Sequence, residues 1–281
     1  MLFQDQIIER KPLIDIEDRG YQFGDGIYEV IGIYHGNFFM LDEHLGRLKR
    51  SAEELQLEIP YSLQLLKKKL KELVTQNQLM DGVVYLQISR GVAERWHQFP
   101  SKDVAPTVVA YTKIEETMKR EEDEGAKAVL TEDIRWLRCD IKTLNLLPNT
   151  LAKQKAVEDN AVEAILHRGN IITEASASNV FIVKDGELYT HPANNYILNG
   201  ITRRRILKLC QELNLVVNES EFTIDDLLKA DEIFVTATKL DVVPITRVDN
   251  KVIANGKPGD ISREIVNAYR KVIQKEIQQN V

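Results

Sequence analysis

A lysine, Lys142, stands between Ile141 and Leu144 in the stretch Arg138-Cys139-Asp140-Ile141-Lys142-Thr143-Leu144-Asn145, mid-chain and in a short apolar setting. Partial desolvation penalises the ammonium form, lowers the pKa and makes the amine a better nucleophile toward carbonyls, which is Schiff-base chemistry. Ahead of it, Ile134-Arg135-Trp136-Leu137 reads as a strand. After it, Pro148 and Asn149 open a helical pattern carried by Leu151, Ala152, Lys155 and Ala156. Taken alone, the same residue also reads as one more solvated lysine.

Other residues could supply the rest of a site. Thr173-Glu174-Ala175-Ser176-Ala177-Ser178-Asn179 sets one carboxylate among small side chains, which would let a flat ligand pack closely; a polar turn reads the same way. Asn199-Gly200-Ile201-Thr202 precedes an amphipathic helix (Ile206, Leu207, Leu209, Cys210, Leu213). Free amides at such an N-terminus favour phosphate, although most turns of this kind bind only water. Thr236-Ala237-Thr238 offers hydroxyls and amides at a strand end, or plain β structure. Arg50 closes Arg47-Leu48-Lys49-Arg50 and alone reads as a surface cation. In the loop from Arg90 to Pro100, Arg95 and His97 flank Trp96. An arginine fork with a histidine donor could hold a carboxylate; a surface arginine and a satisfied histidine are the plain alternative. His35, His44, His167 and His191 show no metal-ligand spacing, so no metal is expected.

These residues need elements to position them. Leu13-Ile14-Asp15-Ile16 and Ile27-Tyr28-Glu29-Val30-Ile31 read as strands, the second entered through Gly24-Asp25-Gly26. Asp42 to Leu57 is an amphipathic helix. Ser62 caps another whose stripe is Leu63, Leu66, Leu70, Leu73 and Val74, with Lys67, Lys68, Lys69 and Lys71 as its solvated face. Strands follow at 82–89 and 107–112. A charged run near 115–125 marks a boundary, giving an N-terminal domain 1–115, a linker 116–124 and a larger domain 125–281. The second half alternates: strands near 126–131 and 161–166, a helix near 149–160, a hairpin about Asp185-Gly186, a helix near 202–214, short strands near 215–219 and 232–236, and a terminal helix near 261–277. The pattern is a two-domain α+β or mixed α/β chain.

Composition narrows the class. With 43% hydrophobic and 28% charged residues the chain reads as an ordinary globular protein. A net charge of −6 argues against nucleic acid or an anionic membrane as partner. No apolar run is long enough to span a bilayer, and the first residues lack a leader pattern. Two cysteines, Cys139 and Cys210, cannot build a disulfide framework, so a reducing compartment, the cytoplasm, is expected.

Together the motifs carry a resemblance over nearly the whole chain. Tyr21-Gln22-Phe23-Gly24-Asp25-Gly26-Ile27-Tyr28-Glu29, Arg47 to Ala52, Arg95-x-His97, Cys139 to Asn145, Thr173-Glu174 with Ser178-Asn179, and Asn199-Gly200-Ile201-Thr202-Arg203 resemble the D-amino-acid branch of the fold-type IV (class IV) pyridoxal-phosphate aminotransferases. That resemblance implies two α/β domains with the cofactor in the interdomain cleft. It implies Lys142 as the lysine holding pyridoxal 5′-phosphate as a Schiff base and shuttling the substrate proton, and Glu174 as the partner of the pyridine nitrogen. It further implies Arg50, the amides of Ile201 and Thr202, and Thr238 as a phosphate cup, Ala237 where a serine is frequent, and Leu198 against the ring. Tyr28, Arg95 and His97 match a trap for the substrate α-carboxylate, in which the Arg–His loop reaches in from a neighbouring subunit, hence a homodimer. The implied reaction is ping-pong transamination between a D-amino acid, such as D-alanine or D-glutamate, and a 2-oxo acid. Branched-chain L-aminotransferases and aminodeoxychorismate lyases are the nearest rival readings.

Overall fold

Ile27, Ile31 and Ile33 alternate along one strand and are buried, and the alternation carries Glu29 onto the same inward face. This strand, β3 (Gly26–Tyr34), lies within a six-stranded antiparallel sheet. Its other members are β1 (Leu2–Phe3), β2 (Gln6–Ile7), β4 (Asn37–Phe38), β5 (Gly82–Ser89) and β6 (Thr107–Lys113), in the order β2-β1-β6-β5-β3-β4. The computed structural model describes residues 1–9, 13–114 and 124–279. The expected linker 116–124 lies outside them except for Glu124.

Two helices supply the core under this sheet. Helix α2 (Leu41–Glu54) contributes Leu45, Leu48 and Ala52, and α3 (Leu63–Gln76) contributes Leu66, Leu70, Leu73 and Val74. Ser62 caps α3 by accepting the Leu65 amide, the role its position in the sequence predicts. A short helix, α1 (Arg19–Phe23), precedes β3, and Gly24 closes it at φ 65°, where a side chain would be strained. Leu13–Ile16 is not the expected strand. Leu13 and Ile16 are exposed, and no described strand pairs with that segment.

The other unit is built on a nine-stranded mixed sheet. It contains β7 (Ala126–Glu132), β8 (Glu163–Arg168), β9 (Ile171–Ala175), β10 (Asn179–Lys184), β11 (Glu187–Thr190), β12 (Val217–Glu219), β13 (Glu232–Ala237), β14 (Asp241–Val248) and β15 (Lys251–Val252). The order is β12-β11-β10-β13-β14-β7-β8-β9, with β15 on β14. Stacked Phe181 and Phe234, ring centroids 4.9 Å apart, mark the β10–β13 pairing. The expected hairpin is present, with Asp185 and Gly186 both at positive φ. Helices α4 (Leu147–Glu158), α5 (Ile201–Glu212), α6 (Ile224–Leu228) and α7 (Asp260–Gln279) complete the described elements. The fold is mixed α/β.

Three differences from the sequence reading concern the site. Ile134–Leu137 is irregular rather than a strand, because Arg135 turns to Asp133 two residues back. Glu174 lies within a strand, β9, rather than a turn. Residues Ile141–Asn145 group with the unit formed by Met1–Glu116 and Ile277–Val281, not with Thr117–Asp140 and Leu146–Glu276. The reason is main-chain pairing. β4 covers only the far end of β3, at Ile33 and Tyr34, so the first residues of β3 pair with the lysine segment. Tyr28 donates its amide to the Lys142 carbonyl at 3.1 Å, and Leu144 donates to Gly26 at 3.0 Å.

Candidate active site

Lys142 is therefore held by a strand-like main chain rather than by a loose loop. Its own amide donates to Ser51 Oγ of α2 at 3.3 Å. Its side chain is half-buried, and Nζ lies 4.3 Å from the centroid of the Tyr28 ring. Tyr28 stacks in turn on Tyr85, and Tyr85 on Tyr111, an aromatic row on the β3 face opposite the core.

Beneath Tyr28 the inward carboxylate of Glu29 meets α2. Arg47 donates Nε and Nη2 to its two oxygens at 2.7 Å each, and His44 Nδ1 lies 2.8 Å from Oε2. Burial opposes the charge on Glu29, yet Arg47 and His44 hold its carboxyl well below the usual range. Burial lowers the His44 pKa against the pull of Glu29, and the Arg47 and Lys142 cations add to the lowering. Arg50, the arginine singled out from the sequence, is elsewhere. Its side chain is 47% exposed and pairs with Glu54 at 3.8 Å along the helix. Three residues turn an α-helix through about 300°, enough to take Arg50 off the line of Glu29. The buried cation on α2 is Arg47. The missed signal was Glu29 itself: a carboxylate in an apolar alternation requires a cation from the helix that covers it.

Arg95 and His97 stand in the exposed loop after β5, on either side of Trp96. The structure brings both to the ring of Phe23, with the Arg95 guanidinium 4.9 Å from its centroid and the His97 ring at 5.9 Å, edge-on.

Glu174 anchors the other cluster. It is buried on β9 and accepts from Arg135 Nη1 at 2.5 Å, Asn179 Nδ2 at 3.0 Å and the Leu198 amide at 3.1 Å. Burial pushes the Glu174 carboxyl up, and the Arg135 guanidinium pulls it back. Arg135 is fixed by Asp133, which takes Nε and Nη2 at 2.8 Å and is itself held by Thr173 and Arg168. The hydroxyls of Ser176 and Ser178 both go to buried Glu163, so they shape the turn between β9 and β10 rather than face a ligand.

Next to this cluster α5 begins at Gly200 with no side-chain cap, leaving the first amides, those of Ile201 and Thr202 among them, to an external acceptor. A Cβ on Gly200 would lie 2.2 Å from Asn179 Oδ1, so any side chain there would displace the amide that orients Glu174. Asn179 pairs in register with Thr236 of β13, which places both side chains on one face. Thr236 Oγ1 is buried and has no hydrogen-bond partner among the described residues. Ala237 and Thr238 follow at the end of β13, half-buried. An uncapped helix start, an orphaned hydroxyl and a tethered carboxylate suit a ligand with a protonated ring nitrogen and an anionic group.

The family model for amino-transferase class IV matches residues 26–248. This chain belongs to the class IV amino-transferases. The aminotransferase is 47% identical to a D-alanine aminotransferase of Bacillus licheniformis, over 100% of this chain and 99% of that one. Its fold matches the branched-chain amino acid aminotransferase of Escherichia coli with a TM-score of 0.89 at 23% identity, covering 96% of this chain and 92% of the other. It also matches the branched-chain amino acid aminotransferase of T.th. with pyridoxamine 5′-phosphate, with a TM-score of 0.85 at 25% identity, covering 94% and 90%. Among the described residues of this aminotransferase no helix is long and apolar enough to cross a membrane.

Proposed function

We propose that this aminotransferase moves the amino group of a D-amino acid, D-alanine or D-glutamate foremost, to a 2-oxo acid in a ping-pong cycle dependent on pyridoxal 5′-phosphate. The observation that carries the reading is Lys142: an amine on a pinned main chain, half-buried and set over Tyr28. The full-length likeness to a D-alanine aminotransferase supports the enantiomer.

When bound, pyridoxal phosphate supplies an electron sink that acidifies the substrate Cα–H. Lys142 Nζ then takes that proton, and later returns one to Cα of the second substrate on the same face, so that the product is again D. Glu174 would keep the pyridine nitrogen protonated. The Ile201 and Thr202 amides, the Ala237 amide and the Thr238 hydroxyl would hold the phosphate, and Leu198 would pack on the ring. Tyr28, Arg95 and His97 would bind the substrate carboxylate, whose anchorage selects the enantiomer. Arg50 would supply the cation for the phosphate: it is the half-exposed arginine of α2, whereas the Arg47 guanidinium is taken up by Glu29 on the core face of β3. Exposed Ile134, Leu137, Leu147 and Leu151 support a homodimer. Two buried free cysteines support a cytoplasmic setting.

The visible absorption of the protein loaded with pyridoxal phosphate tests the reading. D-Alanine should bleach the cofactor band, while L-alanine and L-leucine leave it. Bleaching by L-leucine alone would transfer the chain to the branched-chain enzymes.

The two arginines differ measurably. Arg47→Ala leaves Glu29 buried without its cation, a stability loss of about 3–5 kcal/mol. Arg50→Ala should change stability by about 0.5 kcal/mol or less and weaken cofactor binding. Thermal melts and cofactor titration decide. Unchanged cofactor binding in Arg50→Ala would remove Arg50 from the phosphate site.

A further inference from the structure

We infer that Phe23 is a positioning residue for Arg95 and His97, setting the geometry with which they meet a substrate carboxylate. The inference rests on the reading of that pair as the carboxylate-binding residues.

Phe23 ends α1, a helix of one turn that is locked at both ends. Asp18 accepts the Gly20 amide at 2.8 Å at its start, and the Gly24 amide returns to Arg19 and Gly20 at its close. The ring is thus a fixed post on the backbone. Three cationic or polar side chains converge on it. The Arg19 guanidinium lies 4.7 Å and that of Arg95 4.9 Å from its centroid, and His97 meets it edge-on at 5.9 Å. Arg19 also reaches the loop main chain directly. Its Nη1 donates to the carbonyl of Trp96, the residue between Arg95 and His97, at 2.7 Å, while its Nε holds Asp25 at 2.8 Å. Asp25 takes Arg90 as well, at 2.9 Å, and the Arg90 guanidinium stacks 3.8 Å from the Phe99 centroid further along the loop.

The arrangement has a physical purpose. Arg95 and His97 are exposed, and a free arginine side chain carries much rotamer entropy that binding must remove. Leaning on a ring face restricts the guanidinium before the substrate arrives, while leaving its N–H edge open for a carboxylate fork. Fixing the Trp96 carbonyl sets the distance between the two donors. Phe23 and Arg19 together therefore convert a surface loop into a prearranged anion site.

The test compares Phe23→Leu with Phe23→Trp in the cofactor-loaded enzyme. Loss of the ring face should raise KM for D-alanine about two- to fivefold, the size that a cation–π contact at an exposed site supports. Cofactor affinity and kcat at saturating D-alanine should hold, and Phe23→Trp, which keeps a π face, should restore KM to within about twofold of the parent. Phe23→Met, keeping bulk without the ring, repeats the comparison should the leucine variant fold poorly. The Arg95→Ala/His97→Ala variant separates the two levels. If it leaves KM unchanged, the carboxylate reading fails. If it raises KM but Phe23→Leu and Phe23→Met do not, the carboxylate reading stands and the positioning role is wrong. A fall in kcat or in cofactor affinity at unchanged KM would also overturn it.

Discussion

Lys142→Ala protein is expected to fold, to retain pyridoxal phosphate without a covalent link, and to lose turnover by about a hundred- to ten-thousandfold, since a positioned proton-transfer group contributes typically 10²–10⁴. Folding should survive because the contacts of this segment are main-chain ones. The Tyr28 amide still reaches residue 142, the Leu144 amide still reaches Gly26, and neither needs the side chain. What vanishes is the amine over the Tyr28 ring, the part of the segment able to carry a proton. Two measurements suffice: steady-state transamination of D-alanine with a 2-oxo acid, and borohydride treatment followed by denaturation. The parent should keep its cofactor through denaturation and the variant should release it. Parental kcat in the variant would remove Lys142 from the mechanism.

Arg135→Gln should move the acid limb of the pH–activity profile upward and weaken cofactor retention together. Glu174 is buried, and burial already drives its pKa above the ordinary carboxylate value; the Arg135 guanidinium is the largest influence opposing that. With it gone the carboxyl takes up a proton at higher pH than before, so the ionised fraction at a given pH falls. The stability consequence has a definite sign. A carboxyl whose folded pKa lies above its unfolded one binds more protons when folded, so stability declines as pH rises through that interval. The variant should therefore be less stable than the parent near neutrality by about 3–5 kcal/mol, the usual cost of stranding one member of a buried pair. The gap should narrow on acidification, as Glu174 becomes neutral. Asp133, left with Arg168 and Thr173, keeps some compensation and should limit the loss. An unshifted acid limb with unchanged cofactor binding would show that Arg135 does not control the charge of Glu174.

Sequence and structure divided the work along a physical line. Helices α2, α3, α5 and α7 were legible because an apolar stripe of period 3.6 is a local property, as was the Asp185-Gly186 hairpin, whose residues alone tolerate the turn. Strand β14 was not legible, since Pro244 interrupts its pattern; the sheet accommodates it opposite Phe234. The segment Ile134–Leu137 alternates like a strand, but Arg135 is claimed by Asp133 and Glu174 instead.

Residue identities at short spacing were enough for the chemistry on offer: one lysine in an apolar setting, one carboxylate among small residues, a glycine at an open helix start and an Arg-x-His loop, which together mark the class IV aminotransferases. No folding is needed to read those signals. Packing was needed to show which arginine of α2 is buried, that the lysine segment pairs with β3, that Arg135 stands on Glu174, and that Phe23 gathers Arg95 and His97. Each of these depends on which charge must be compensated once water is excluded, and the compensating partner lies far away along the chain.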